Sequence, residues 1–237
     1  MNVVGRVESV WRYPVKSMRG EELDEAFLGV GGLRGDRVFA IHNARARQDF
    51  PYFTAREQGK MLLCRPMHRE GSETDLEVET PGGEKLTITD RRLVETLRAG
   101  LRDGFELTLL QSERALTDCS PVSILSNETV RQLTQELGKT LDKRRFRANI
   151  YVDLATGQGF SEDQLVGHRL RIGPNVLLMA VERDDRCKMI TLDPETAEPT
   201  PELMKLVAAS HESRVGIYAD VLAEGTVRPG DRVEVAD

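Results

Sequence analysis

Alternation of apolar and polar residues dominates the first half of the chain. Short segments rich in β-branched residues, at residues 5–11, 36–41, 76–80 and 85–89, are separated by Gly or Pro, which predicts strands. Pro81-Gly82-Gly83-Glu84 lies between two such runs and predicts a hairpin connection, because Gly takes the positive φ of a tight turn at little steric cost. Leu93, Leu97 and Leu101 then repeat at helical spacing, with Asp90 placed as the cap and Gly104 just past the end. A strand follows at about residues 105–111.

The pattern then changes character. The loop Asp118-Cys119-Ser120-Pro121 leads to a strand at residues 122–125 and a helix in which Val130, Leu133 and Leu137 share a face before Gly138 stops it. Strands are predicted at residues 147–152, 168–172, 176–182, 214–222 and 232–235, with a short helix near 201–210. No internal repeat or low-complexity linker separates the halves, so they are expected to pack together around a shared cleft.

Composition narrows the function classes. Lys plus Arg is 33 against 39 Asp plus Glu, a net charge of −6, so general attraction to nucleic acid is not expected and any anion site must be local. No apolar run approaches the roughly 20 residues of a membrane-spanning helix. The first residues alternate like a strand and do not form a signal peptide, which predicts a cytoplasmic location. The cysteines, Cys64, Cys119 and Cys187, are odd in number and far apart, which argues against a disulfide framework and against a Cys-x-x-Cys zinc site. The histidines, His42, His68, His168 and His211, lie in no metal-like spacing and read as structural or surface.

Cys187 stands among cations. Arg183, Arg186 and Lys188 would favour its thiolate, the form that ligates metals or attacks sulfur; read without those charges, a lone cysteine is more often a small buried hydrophobe. Cys64, within Leu62-Leu63-Cys64, reads as core, and Cys119, at a loop, as structural.

Arg186-Cys187-x-Met189-Ile190-Thr191-x-Asp193-Pro194 resembles the cysteine segment of the MOSC family of molybdenum-cofactor proteins. Further landmarks resemble that family in the same order: Tyr13-Pro14-Val15-Lys16-Ser17, Gly35-Asp36-Arg37, Phe53-Thr54-Ala55-Arg56, and Ser120 through Ser126. Arg145-Phe146-Arg147-Ala148-Asn149-Ile150 and Gly225 through Asp231 complete the set. The resemblance implies a mainly β fold with a few helices (α+β), in which an N-terminal β-rich domain over residues 1–110 packs on a β-barrel-like MOSC domain over 111–237. It also implies a molybdenum cofactor (Mo-molybdopterin) whose metal takes the Cys187 thiolate, with Lys16, Ser17, Arg37, Arg147, Asn149 and Arg186 at the cofactor-contacting positions. Guanidinium forks suit the cofactor's phosphate, and soft sulfur donors suit the metal.

Local sequence alone leaves other readings open. Lys16 and Ser17 after Pro14 fit a solvated turn as well as a site, and Lys143-Arg144-Arg145 reads as a solvated face. Three positions depart from the family pattern: Ala148 where proline is frequent, Asp185 where several relatives carry serine near the metal, and Met18 in place of a small or sulfur-bearing residue. An anion at Asp185 would weaken cofactor binding or repel anionic substrates.

By resemblance to the amidoxime-reducing group, the chain is expected to be a reductase acting on small N-hydroxylated molecules. With no cluster-ligating cysteines before Asp237, electrons would come from a separate donor protein. The alternative is a sulfur carrier or cofactor-binding module with a persulfide on Cys187, and a third is a scaffold with a decayed site.

Overall fold

The alternating apolar positions of the second half face inward in a closed barrel. The computed structural model describes residues 2–69, 75–101 and 104–236. Its seven barrel strands are β1 (Asn2–Arg12), β2 (Val122–Ser126), β3 (Ile150–Leu154), β4 (Arg169–Ile172), β5 (Val176–Asp185), β6 (Arg214–Ala223) and β7 (Arg232–Ala236), in the spatial order β3-β2-β6-β5-β4-β7-β1. Pairing of β1 with β3, from Gly5 opposite Leu154 to Val10 opposite Ile150, closes the ring and removes both sheet edges. Val7, Val10, Ile124, Ile150, Val152, Leu170, Ile172, Leu178, Ile217 and Val233 fill the interior. Each such side chain contributes on the order of 1.5–3 kcal/mol by leaving water.

One of these staves comes from the other end of the sequence. β1 pairs with β3 on one side and β7 on the other, and Ala26–Gly29 pairs with Gly225–Val227, so the first residues of the chain are hydrogen-bonded into the second half. Between them, residues 39–111 build two small sheets around their own core of Phe39, Ile41, Phe53, Met61, Cys64, Leu76, Val78, Leu86, Leu93 and Leu97. Cys64 is fully buried there, as expected, and burial pushes its thiol up to about 11. Cys64→Ser should cost roughly 1–3 kcal/mol, because the Lys60 carbonyl, 3.9 Å from the sulfur, is too far to receive a hydroxyl proton. Unchanged thermal melting would show that the site accommodates a polar group.

The hairpin at 80–84 forms as expected, with Gly83 at φ +82°. α1 (Arg91–Arg98) is capped by the Asp90 carboxylate but ends earlier than predicted: Gly100, at φ +79°, turns the chain there, and Gly104 lies well beyond the helix. α2 (Asn127–Leu137) ends at Gly138 and α3 (Pro201–Ser210) has the expected bounds. No helix among the described residues is long and apolar enough to cross a membrane.

Two strands begin three residues later than the alternation suggests, for one reason. Arg37 (φ +48°) and Arg147 (φ +55°) adopt the left-handed conformation, so the strands start only at Phe39 and Ile150. A non-glycine residue pays steric energy in that region. Both arginines belong to the site.

Candidate functional site

The site grows out of chain reversals next to strand ends. Ser17, Arg37 and Arg147 are three of the seven non-glycine residues with positive φ among the described residues, and all three line one pocket. Strained backbone concentrates where the surrounding structure holds it for a purpose. Asp36 anchors the first two turns: its carboxylate accepts the Tyr13 amide at 2.8 Å and pairs with the Arg37 guanidinium. The Tyr13 ring lies under two guanidiniums, 4.9 Å from Arg37 and 4.2 Å from Arg147, which sets them side by side.

Lys16, Ser17, Arg37, Arg147, Asn149, Arg186 and Cys187 all line this pocket, which contains about 720 Å3 of atom-free space, open solvent included. Lys16 and Ser17 are buried, so the solvated turn that local sequence allowed is not what forms. Lys16 Nζ donates to the Leu116 carbonyl at 2.8 Å and pairs with Asp118, and burial lowers its pKa. Six cationic side chains and three carboxylates line the pocket, so it is locally positive in an acidic chain.

The predicted residues separate into two kinds. Asn149 is fully buried and spent on protein: its oxygen accepts from Ser123 N and Arg37 Nη1, and its amide donates to the Trp11 carbonyl. Arg186 is likewise engaged, donating to the Val215 and Phe146 carbonyls at 2.7 Å each and pairing with Asp184 at 2.8 Å. Gly216 leaves room for it, since a Cβ there would meet the Ile124 carbonyl at 2.8 Å and Arg186 Nη2 at 3.3 Å. These two residues shape the pocket. Arg147 differs: Nη1 donates to the Met18 carbonyl at 2.7 Å, whereas Nη2 is buried with no partner among the described residues. Burial, and after it the adjacent Arg37 charge, push the Arg147 pKa down to about 10. Cys187 follows the end of β5, half-buried and free of any disulfide.

Several expectations need correction. Arg183 is taken by Asp163 at 2.9 Å and Glu212 at 3.0 Å, and neither it nor Lys188 lines the pocket, which leaves Arg186 as the sequence-adjacent cation beside Cys187 there. Lys143-Arg144-Arg145 is not a solvated face: a 3-10 turn capped by Asp142 directs Arg145 inward to the Thr191 carbonyl and Asp193. Asp185 is exposed at the rim and bonded to Arg214 at 2.9 Å. Cys119 needs no such correction: it sits exposed on the predicted loop, its thiol bonded to Glu182.

Asp184 is the inward carboxylate, and sequence reading missed it. Strand alternation turns neighbours to opposite faces, so only the register of β5 tells Asp184 from Asp185. Burial pushes the Asp184 carboxyl up to about 6, against the opposing pull of Arg186 and Ser123. A carboxyl that binds its proton more tightly when folded stabilises the fold below pH 4 and loses that contribution as pH rises through about 6. In cofactor-free protein, stability of the wild type relative to Asp184→Asn should therefore fall by roughly 2 kcal/mol between pH 4 and 7 in urea melts. A flat difference would mean that Asp184 ionises like a solvated acid.

Family models match the whole length of this arrangement. The MOSC domain model covers residues 111–234, and the MOSC N-terminal beta barrel domain model covers residues 4–111. The chain belongs to the MOSC family. This MOSC protein is 26% identical to mitochondrial amidoxime reducing component 2 of Bos taurus, over 97% of the chain and 83% of the relative. It is 31% identical to a molybdenum cofactor sulfurase of Drosophila mojavensis, over 70% of the chain but 20% of that longer protein. The YUAD protein of Bacillus subtilis, at 16% identity, superposes with a TM-score of 0.56 over 99% of this chain and 97% of that one, which shows a shared fold. These relatives support a molybdenum-cofactor-associated function for the MOSC protein.

Proposed function

We propose that the chain binds the molybdenum cofactor in this pocket and uses it to reduce small N-hydroxylated substrates, with electrons from a separate donor protein. The observation that carries the proposal is the convergence of Cys187 with Arg147, whose Nη2 is buried without a hydrogen-bond acceptor among the described residues. Both fit the group: a soft sulfur for the metal and a charge-assisted donor for its phosphate. In this reading Cys187 is the metal ligand. Ser17, Lys16, Arg37 and Arg147 hold the phosphate end, while Asn149 and Arg186 keep those donors in place. When bound, the cofactor supplies two-electron oxygen-atom transfer. The protein supplies orientation, a locally positive wall, and in Asp184 a buried carboxyl able to hold a proton near neutral pH. The barrel, which takes in residues 2–12, and the unit built by residues 39–111 around its own core share the cofactor between them.

A second reading, sulfur carriage on Cys187, draws on the likeness to the sulfurase and on the half-buried thiol. Elemental analysis separates the two. Protein made in a cofactor-competent host should carry stoichiometric molybdenum and reduce an amidoxime with an artificial donor. Protein free of molybdenum under those conditions, yet able to hold a persulfide on Cys187, would replace the first reading by the second.

A further inference from the structure

A surface groove with about 360 Å3 of room for water-sized guests adjoins the pocket, and Arg56 lines both. The 3-10 turn Lys188–Thr191, which directly follows Cys187, forms part of the wall between them. Met189 and Ile190 line the pocket, whereas Lys188 and Thr191 line the groove. A molecule reacting beside the Cys187 sulfur therefore has the groove one turn of chain away.

The groove is amphipathic. Ala55, Leu192, Pro199, Pro201 and Met204 give it apolar walls, Arg56 and Lys188 give it two cations, and no carboxylate lines it. Lys188 is exposed and makes no ion pair among the described residues. Arg56 donates Nε to the Thr54 hydroxyl at 3.2 Å and lies over the Phe50 ring at 4.0 Å, and it too has no carboxylate within ion-pair distance among the described residues. Solvated cations on a flat surface need no partner, but these two flank a concave apolar lining, where a hydrocarbon leaves water and an anion at its end meets the charge. Gly59 keeps the groove open. A Cβ there would make only ordinary contacts, with the Ala197 carbonyl at 3.7 Å and Leu192 Cδ2 at 3.8 Å, and its φ is not positive, so neither crowding nor backbone conformation calls for glycine.

We propose that the groove takes the tail of the substrate, an apolar chain ending in a carboxylate, while the N-hydroxylated head of the same molecule enters the pocket beside Cys187. This rests on the proposed function and names the substrate class for it. Leu192 and Met204 receive the hydrocarbon, and Lys188 and Arg56 receive the carboxylate.

Octanoate is the probe, titrated calorimetrically into the full chain. It should bind the wild type, and Gly59→Phe should weaken that binding about tenfold or more by filling the groove. Lys188→Gln should weaken it about fivefold, the loss of one exposed ion pair, and as a change at an exposed side chain it keeps the test open should Gly59→Phe fold poorly. In turnover, an alkyl amidoxime ending in a carboxylate should have a KM about fivefold below that of its carboxamide-ended analogue, and Lys188→Gln should remove that difference with kcat and molybdenum content unchanged. Amidoxime reduction indifferent to the terminal carboxylate, with octanoate unbound or bound equally by both variants, would overturn this inference and leave the proposed function standing. So would variants that ignore octanoate yet slow turnover only with a donor protein, which would give the groove to an acidic partner. Octanoate held through Gly59 and Lys188 in a chain that never retains molybdenum would sink the proposed function and leave the groove as a carboxylate site.

Discussion

Cys187→Ser should abolish retained molybdenum and amidoxime reduction while leaving the melting temperature within error of the wild type. The hydroxyl nearly matches the thiol in shape but is a poor soft-metal ligand and cannot carry a persulfide, so the change removes chemistry and spares packing. Packing has little to lose, because Cys187 is half-buried and follows the last residue of β5 by only two positions. Cys64→Ser should show the reverse, a lower melting temperature with metal intact, since Cys64 lies at the centre of the first-half core. Retention of both metal and turnover by Cys187→Ser would remove it as the ligand.

Arg147→Gly should lower cofactor retention by roughly 10- to 150-fold, the effect of losing a charged hydrogen bond of about 1.5–3 kcal/mol. Stability of the cofactor-free protein should change by no more than about 1 kcal/mol, because opposing effects nearly cancel. The bond from Nη1 to the Met18 carbonyl disappears, and glycine makes the unfolded chain freer. Against this, glycine takes φ +55° without a Cβ penalty, and a buried cation beside Arg37 is gone. Arg144→Ala should behave oppositely, since Arg144 is tied to Asp142 at 2.5 Å and to Glu195 at 2.7 Å: about 1 kcal/mol of stability lost and cofactor retained. Equal cofactor loss in both variants would mean that the basic run binds the phosphate diffusely.

The linear pattern determined a good deal of this protein. Period-two runs located most barrel strands, Gly138 and Pro201 bounded their helices, and Cys64 was readable as core from its apolar neighbours. These features are local: a strand's alternation or a helix stop depends on a few adjacent residues. Ordered motifs likewise nominated the residues that the fold gathers into one pocket. Tertiary structure decided the rest. β1 closes the barrel against strands more than a hundred residues away, and no local pattern encodes a partner. Arg37 and Arg147 were read into strands because their left-handed backbone is imposed by long-range bonds, Arg37 N to Tyr13 O and Arg37 Nη2 to the Arg147 carbonyl. Register alone turned Asp184 inward and Asp185 outward. A charge run in sequence cannot show which guanidinium finds a carboxylate: Arg144 and Arg145 find theirs, while Arg147 keeps a free, buried N–H, because that depends on where distant carboxylates fold to.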